Sequence, residues 1–212
     1  MNNSGYDNKL MGIFSKVMDA VILGVLWLIC SVPIITIGAA SSAFYYAYNK
    51  CVCQERGYAW TAFFAGFRSN FKQATLLWLG LLGMLVFTFL DYQILNAYSG
   101  VFPIVKVLMG FMIAAFVYLL LWGLYVFAYI SRFEVETKAV VRITAAMVLQ
   151  NTLWMAMLLV VFVILVVCVF LLPVIGILVP AIYMVVANRI LERVFKKYMT
   201  PQDADKEASY TA

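Results

Sequence analysis

The chain has 212 residues; 66% belong to the apolar set AVILMFWYC and only 12% are charged, 15 Lys/Arg against 10 Asp/Glu. Soluble domains sit near about 45–50% apolar and about 25% charged, and a core of this size cannot hide so much apolar surface. A soluble enzyme, a disordered chain and a secreted disulfide scaffold are therefore excluded. Histidine is absent, which also removes His-based triads, proton relays and zinc sites. The mean hydropathy of +0.97 points to a membrane-embedded helical protein.

The spacing of the few charges predicts the elements. Ala20 to Asn49 is 30 residues without Lys, Arg, Asp or Glu. As a helix it reaches roughly 45 Å, more than the ~30 Å hydrocarbon core. A first tilted span over about 20–48, kinked at Pro33, accommodates it. A basic stretch with Lys50, Arg56, Arg68 and Lys72 follows, then a second span over about 73–95 that ends near Asp91 and a turn-like Asn96–Gly100. The third covers about 104–131. Ile143 to Asn188 is charge-free for 46 residues, too long for one crossing. Pro173, Gly176 and Pro180 suggest a turn near 173–176, giving spans over about 150–172 and 175–195.

The expectation is an all-α polytopic protein: one transmembrane domain over 1–198, with five spans and amphipathic cytoplasmic elbow helices, and a disordered cytoplasmic tail over 199–212. Five spans place twelve Lys/Arg on one side and Lys9, Lys16 and Lys106 on the other. The positive-inside rule then sets the N-terminus outside and the C-terminus in the cytoplasm of a cell-membrane protein. A cleaved leader fits poorly, because the first apolar run exceeds the 7–15 residues of a signal-peptide core and starts after Asp19.

Few residues suggest chemistry. Cys30 and Cys168 fall in spans, where a thiol behaves as a small hydrophobe. Cys51 and Cys53 form a lone CxC with no histidine and no second cysteine pair, a poor metal site. No ionisable group is expected at mid-membrane, which disfavours ion-coupled transport by this chain alone. No nucleophile–base pair is visible, so no enzyme, no cofactor and no metal is expected. Gln150, Asn151 and Thr152 read as interhelical hydrogen-bonding residues.

The most informative stretch is 54–73. Trp60, Phe63/Phe64, Phe67 and Phe71 recur at helical spacing beside Tyr58 and Asn70, with Arg56, Arg68 and Lys72 around them. Two readings stand: an elbow helix in the cytoplasmic interface, rings at the headgroups and cations toward anionic lipid, or a helix that docks into a groove on a cytoplasmic partner. Thr137 to Asn151 offers a fainter echo, so a span–basic loop–span unit occurs twice.

The run Leu26–Ala40, LWLICSVPIITIGAA, with Trp27, Pro33, Thr36 and Gly38, resembles the signature of the YesL-like family of bacterial membrane proteins. The aromatic stretch Phe63–Gln73 is similar to that family's aromatic loop. Tyr125, Phe127, Tyr129, Arg132 and Phe133 resemble the end of its third span, with Ser131 where the family carries Ala. What the resemblance implies is a partner class: the family, of uncharacterised role, is associated with carbohydrate uptake systems, including ATP-driven sugar importers and two-component regulators. The spacing of Glu136, Ala139, Ala145 and Ala146 does not reproduce the ATPase-docking signature of a sugar-importer permease. The expectation is an accessory or regulatory membrane subunit of a carbohydrate ABC importer, acting by contact, in a lipid bilayer, and open to homo-oligomerisation. The alternatives are a permease-like saccharide transporter in its own right, or the membrane partner of a two-component sensor kinase. No nucleic-acid partner is expected.

Overall fold

The structure is a computed structural model that describes the backbone of residues 4–98, 103–133, 135–172 and 176–198, with side chains from residue 11 onward except at 103. Its elements are α1 (Ser4–Ser31), α2 (Ile37–Ala47), α3 (Ala59–Ala97), α4 (Pro103–Arg132), α5 (Thr137–Gln150), α6 (Thr152–Leu171) and α7 (Val179–Tyr198). No strand occurs among the described residues. The expected turn at 173–176 lies outside the described residues apart from Gly176, as do the tail from 199 and the end of the Asn96–Gly100 turn.

The first departure from expectation is at Pro33. The stretch expected to be one kinked span over 20–48 is a helical hairpin. Proline has no N–H and pushes the residue before it toward extended backbone. Here α1 ends at Ser31, Pro33 is extended, and one 3₁₀ turn over Ile34–Thr36 leads into α2. The chain reverses because α2 presents a small-residue face, with Ala39, Ala40, Ala43 and Ala47 fully buried. Against it lie Leu23 and Leu26 of α1. The Trp27 indole donates to Ser41 Oγ at 3.1 Å, and its ring lies 6.4 Å from Phe44. At the open end of the hairpin the Lys16 ammonium meets Glu55 at 2.6 Å. The residues before Asp19 and the loop after Cys53 therefore share one end of the fold, whereas a single span would set them at opposite ends.

The second departure is α3. The aromatic stretch expected as a separate elbow helix is continuous with the span after it, because no proline interrupts the 39 residues Ala59–Ala97. At about 1.5 Å per residue, α3 is roughly 58 Å long. Its first half runs antiparallel to α2 in strict register: Gly66 faces Tyr46, Asn70 donates to Ser42 Oγ at 3.2 Å, Ala74 faces Gly38, and the Trp78 indole donates to the Ile34 carbonyl at 2.6 Å. Its second half runs on past the hairpin turn beside α4, where Leu81 packs on Gly123.

The fainter echo is a helix of its own. Asn151 leaves helical backbone and separates α5 from α6, so the two span–loop–span units are built differently. The Asn151 amide donates to the Met147 carbonyl at 2.8 Å and to Tyr198 Oη at 3.0 Å. The main core joins α2, α3, α4, α5, α6 and α7 around Tyr125, Val140, Leu158 and Phe195. Among the described residues, four helices are long and apolar enough to cross a membrane: Met11–Ser31, Ala59–Ala97, Ile104–Arg132 and Thr152–Leu171. The fifth expected span corresponds to α7, which is not among them; it carries Arg189, Glu192, Arg193, Lys196 and Lys197 in its 20 residues.

Candidate functional site

Three groups of side chains stand out, and the first is the aromatic end of α3. Tyr58 precedes the helix in extended backbone. The expected single stripe splits across two faces. Phe63 is fully buried and Phe67 half-buried, while Trp60, Phe64 and Phe71 are exposed. The rings remain in contact along the helix, with centroids 4.9 Å apart for Trp60–Phe64, 5.7 Å for Phe63–Phe64, 6.3 Å for Phe63–Phe67 and 5.4 Å for Phe67–Phe71. Arg68 and Lys72 are exposed beside them. Asn70 faces inward to Ser42 and binds α3 to the hairpin. Tyr58, 81% exposed, and Trp60, 58% exposed, are the outermost large side chains of this end.

The second group is the hairpin turn. Thr36 Oγ1 lies 2.6 Å from the Cys30 carbonyl and 2.7 Å from the Pro33 carbonyl. Gly38 sits where a Cβ would stand 2.6 Å from Trp78 Cβ, 2.7 Å from the Ala74 carbonyl oxygen and 2.9 Å from Phe127 Cε1. Trp27, Pro33, Thr36 and Gly38 thus act in one place: they make the reversal and seat it on α3.

The third group joins the ends of α2, α4 and α7. Arg132, at the end of α4, forms an ion pair with Glu192 of α7, both largely shielded from solvent. Tyr45 Oη donates to the other Glu192 oxygen at 2.8 Å. One turn earlier on α7, Asn188 donates to Asn49 Oδ1 at 2.9 Å and accepts from the Cys53 thiol at 3.6 Å. Asn49 reaches α7 because the chain after α2 widens into a π-turn over Tyr48–Cys53, a local feature that re-aims side chains. Phe195 completes the contact, fully buried between the rings of Tyr45, Tyr125, Tyr129 and Phe133 at 5.9–6.4 Å. Arg132 and Phe133, chosen from the sequence, belong to this junction. Tyr45, Asn49, Asn188, Glu192 and Phe195 were missed. Glu192 carried a signal, as the single acidic residue among the four cations of α7.

The arrangement binds helices to one another. Both Glu192 oxygens are engaged. No three His, Cys, Asp or Glu among the described residues come together to hold a metal ion. Outside the apolar segments, the hydrogen bond and charge of Lys16 hold the Glu55 carboxyl below the usual carboxylate range.

Residues 20–92, about a third of the chain, match the profile of a family described as "Protein of unknown function, DUF624". No curated protein and no solved structure matches the chain. The matched segment begins in α1 and takes in the hairpin turn, α2 and nearly all of α3. It therefore coincides with the unit that Trp27, Thr36, Gly38, Asn70 and Trp78 hold together.

Proposed function

We propose that the protein is an accessory or regulatory membrane subunit that works by contact with a partner and carries out no chemistry itself. One observation carries this reading. At roughly 58 Å, α3 is longer than a bilayer of about 40–45 Å including its headgroups. Its charge-free run from Gln73 to Leu90 belongs in hydrocarbon, so the surplus falls at the other end, beyond Arg68 and Lys72. There Tyr58 and Trp60 face outward, 81% and 58% exposed, with Phe64 exposed beside them. Exposed aromatics beside cations are the composition of an interface core, since Tyr, Trp and Arg are enriched at binding hot spots. On this reading that end lies on the cytoplasmic side, as its Lys/Arg excess favours.

The partner class comes from the likeness of the Leu26–Ala40 and Phe63–Gln73 runs to the YesL-like family: components of an ATP-driven carbohydrate importer. The test is affinity purification from native membranes in mild detergent, comparing the unaltered chain with Trp60→Ala/Phe64→Ala. Importer subunits that co-purify with the first and are lost from the second, together with sugar uptake that falls on deletion, support the reading. Saccharide flux in proteoliposomes holding this protein alone selects a permease-like transporter. Loss of a sensor kinase response with uptake intact selects a two-component partner. Absence of all of these overturns the assignment to carbohydrate uptake.

A further inference from the structure

The hairpin turn combines two properties that conflict in water. Its side chains are apolar and outward: Val32 is 79% exposed, and Ile29, Ile34 and Ile35 are exposed around Pro33. Four of its carbonyls find donors within the chain. The Ile29 carbonyl accepts from the Val32 amide at 3.3 Å, the Pro33 carbonyl from the Thr36 amide at 3.0 Å, and the Ile34 carbonyl from the Ile37 amide and the Trp78 indole, while the single Thr36 hydroxyl proton is shared between the Cys30 and Pro33 carbonyls. Pro33 has no N–H to satisfy. Water would serve those carbonyls without help, and a water-facing turn draws on Gly, Pro, Asn, Asp and Ser; this one has Ser31 and Pro33 but turns Val32, Ile34 and Ile35 outward. In hydrocarbon no such help exists, and non-helical backbone persists only where the protein supplies the partners.

The position of the turn is fixed by the register with α3. Ile34 sits at Trp78, five residues into the charge-free run that starts at Gln73. At about 1.5 Å per residue the turn is roughly 8 Å inside the hydrocarbon, and α3 continues another nineteen residues, roughly 28 Å, past it. The base of the hairpin, where Lys16 meets Glu55, is at the basic end.

We propose that α1 and α2 form a re-entrant hairpin that enters and leaves the bilayer from the basic side, with Val32, Pro33, Ile34 and Ile35 in the acyl chains of that leaflet. The N-terminus then lies on the same side as the 54–58 loop. Lys9 and Lys16 move to the basic side with it, and Lys106 is left alone opposite, a stronger positive-inside bias than a full first crossing gives. This inference concerns lipid and is independent of which partner the aromatic end of α3 meets.

The test uses a chain whose four native cysteines are replaced, carrying Gly12→Cys, Gln54→Cys or Val32→Cys singly, in sealed membrane vesicles of both orientations. The proposal predicts that an impermeant maleimide labels positions 12 and 54 from the same face and position 32 from neither. A nitroxide at position 32 is then relaxed by oxygen and not by a water-soluble nickel chelate. Labelling of 32 from the face opposite 54 restores a full crossing and overturns the proposal. Labelling of 32 from the same face as 54 places the turn in water and overturns it as well. A reporter fused to the N-terminus of the otherwise unaltered chain covers the case in which a substituted turn fails to fold: a signal from the face opposite the 54–58 loop refutes the hairpin.

Discussion

The two halves of α3 obey different rules. From Ala59 to Trp78 the helix buries Phe63 and the small residues Ala59, Ala62, Gly66 and Ala74, which let its neighbours approach closely, and it spends polar groups on fixed partners: Asn70 on Ser42, Gln73 on the Val135 carbonyl at 2.8 Å, Trp78 on Ile34. From Leu79 onward it buries only Leu81, Leu85 and Thr88, and turns Leu79, Met84, Val86, Phe87, Phe89, Leu90 and Ile94 outward. In lipid, apolar side chains gain nothing by leaving the solvent, and association relies on close packing and interhelical hydrogen bonds. The first half is built to be held by protein. The second turns outward the side chains of a helix long and apolar enough to cross a membrane.

The sharpest way to break this contrast is to add one methyl group on α2 against the first half and one within the second. Gly38→Ala puts a Cβ into Trp78 and the Ala74 backbone, and overpacking of this kind costs about 1–3 kcal/mol or more. Gly80→Ala meets nothing within 4 Å and is expected to be neutral or slightly stabilising, as alanine is the better helix former. Thermal unfolding in detergent should separate the two variants by several degrees; equal midpoints would remove the basis for the contrast.

Next in size is Glu192→Ala, which takes from Arg132 and Tyr45 the carboxylate they share. Hydrogen bonds to charged groups contribute about 1.5–3 kcal/mol, so a loss of about 2 kcal/mol is expected, with α7 detaching first. Faster protease cleavage near Arg189 and Arg193, with the α2–α3 contact intact, is the signature to seek. Thr36→Val keeps the shape and removes the hydroxyl that serves Cys30 and Pro33. About 1 kcal/mol is expected, seen as a lower unfolding midpoint in lipid nanodiscs.

The smallest effect concerns Glu55, whose carboxyl Lys16 holds below its ordinary value. A depressed carboxyl contributes stability above its unfolded-state pKa and loses it as pH falls through the folded value. The unaltered chain should therefore lose a small increment on acidification that Glu55→Gln does not show, and the difference should fade at high salt. Identical pH profiles for the two chains would mean that the pair does not close the hairpin.

Much of this fold was legible because charge marks where an apolar helix stops. Arg132 ends α4 and Asn151 separates α5 from α6, close to where the pattern put them. The hairpin was not legible, since a kinked span and a reversal share one charge-free composition; what distinguishes them is Gly38 meeting Ala74 and Thr36 reaching back to Cys30, contacts that no local pattern encodes. The aromatic stripe was read as one face because Trp60, Phe63/Phe64, Phe67 and Phe71 share a helical period, while the burial of Phe63 depends on α1 and α2 lying beside it. Glu192 looked like one charge in a basic tail until α7 brought it to Arg132 and Tyr45.

The most direct test of the contrast between the two halves of α3 is spin-label accessibility at Phe64→Cys and Phe87→Cys, in a chain without native cysteines, reconstituted alone into liposomes. The account predicts a label at 87 relaxed by oxygen and shielded from a water-soluble nickel chelate, and a label at 64 relaxed by the chelate. Equal oxygen access at both positions would place the whole of α3 in lipid and contradict it.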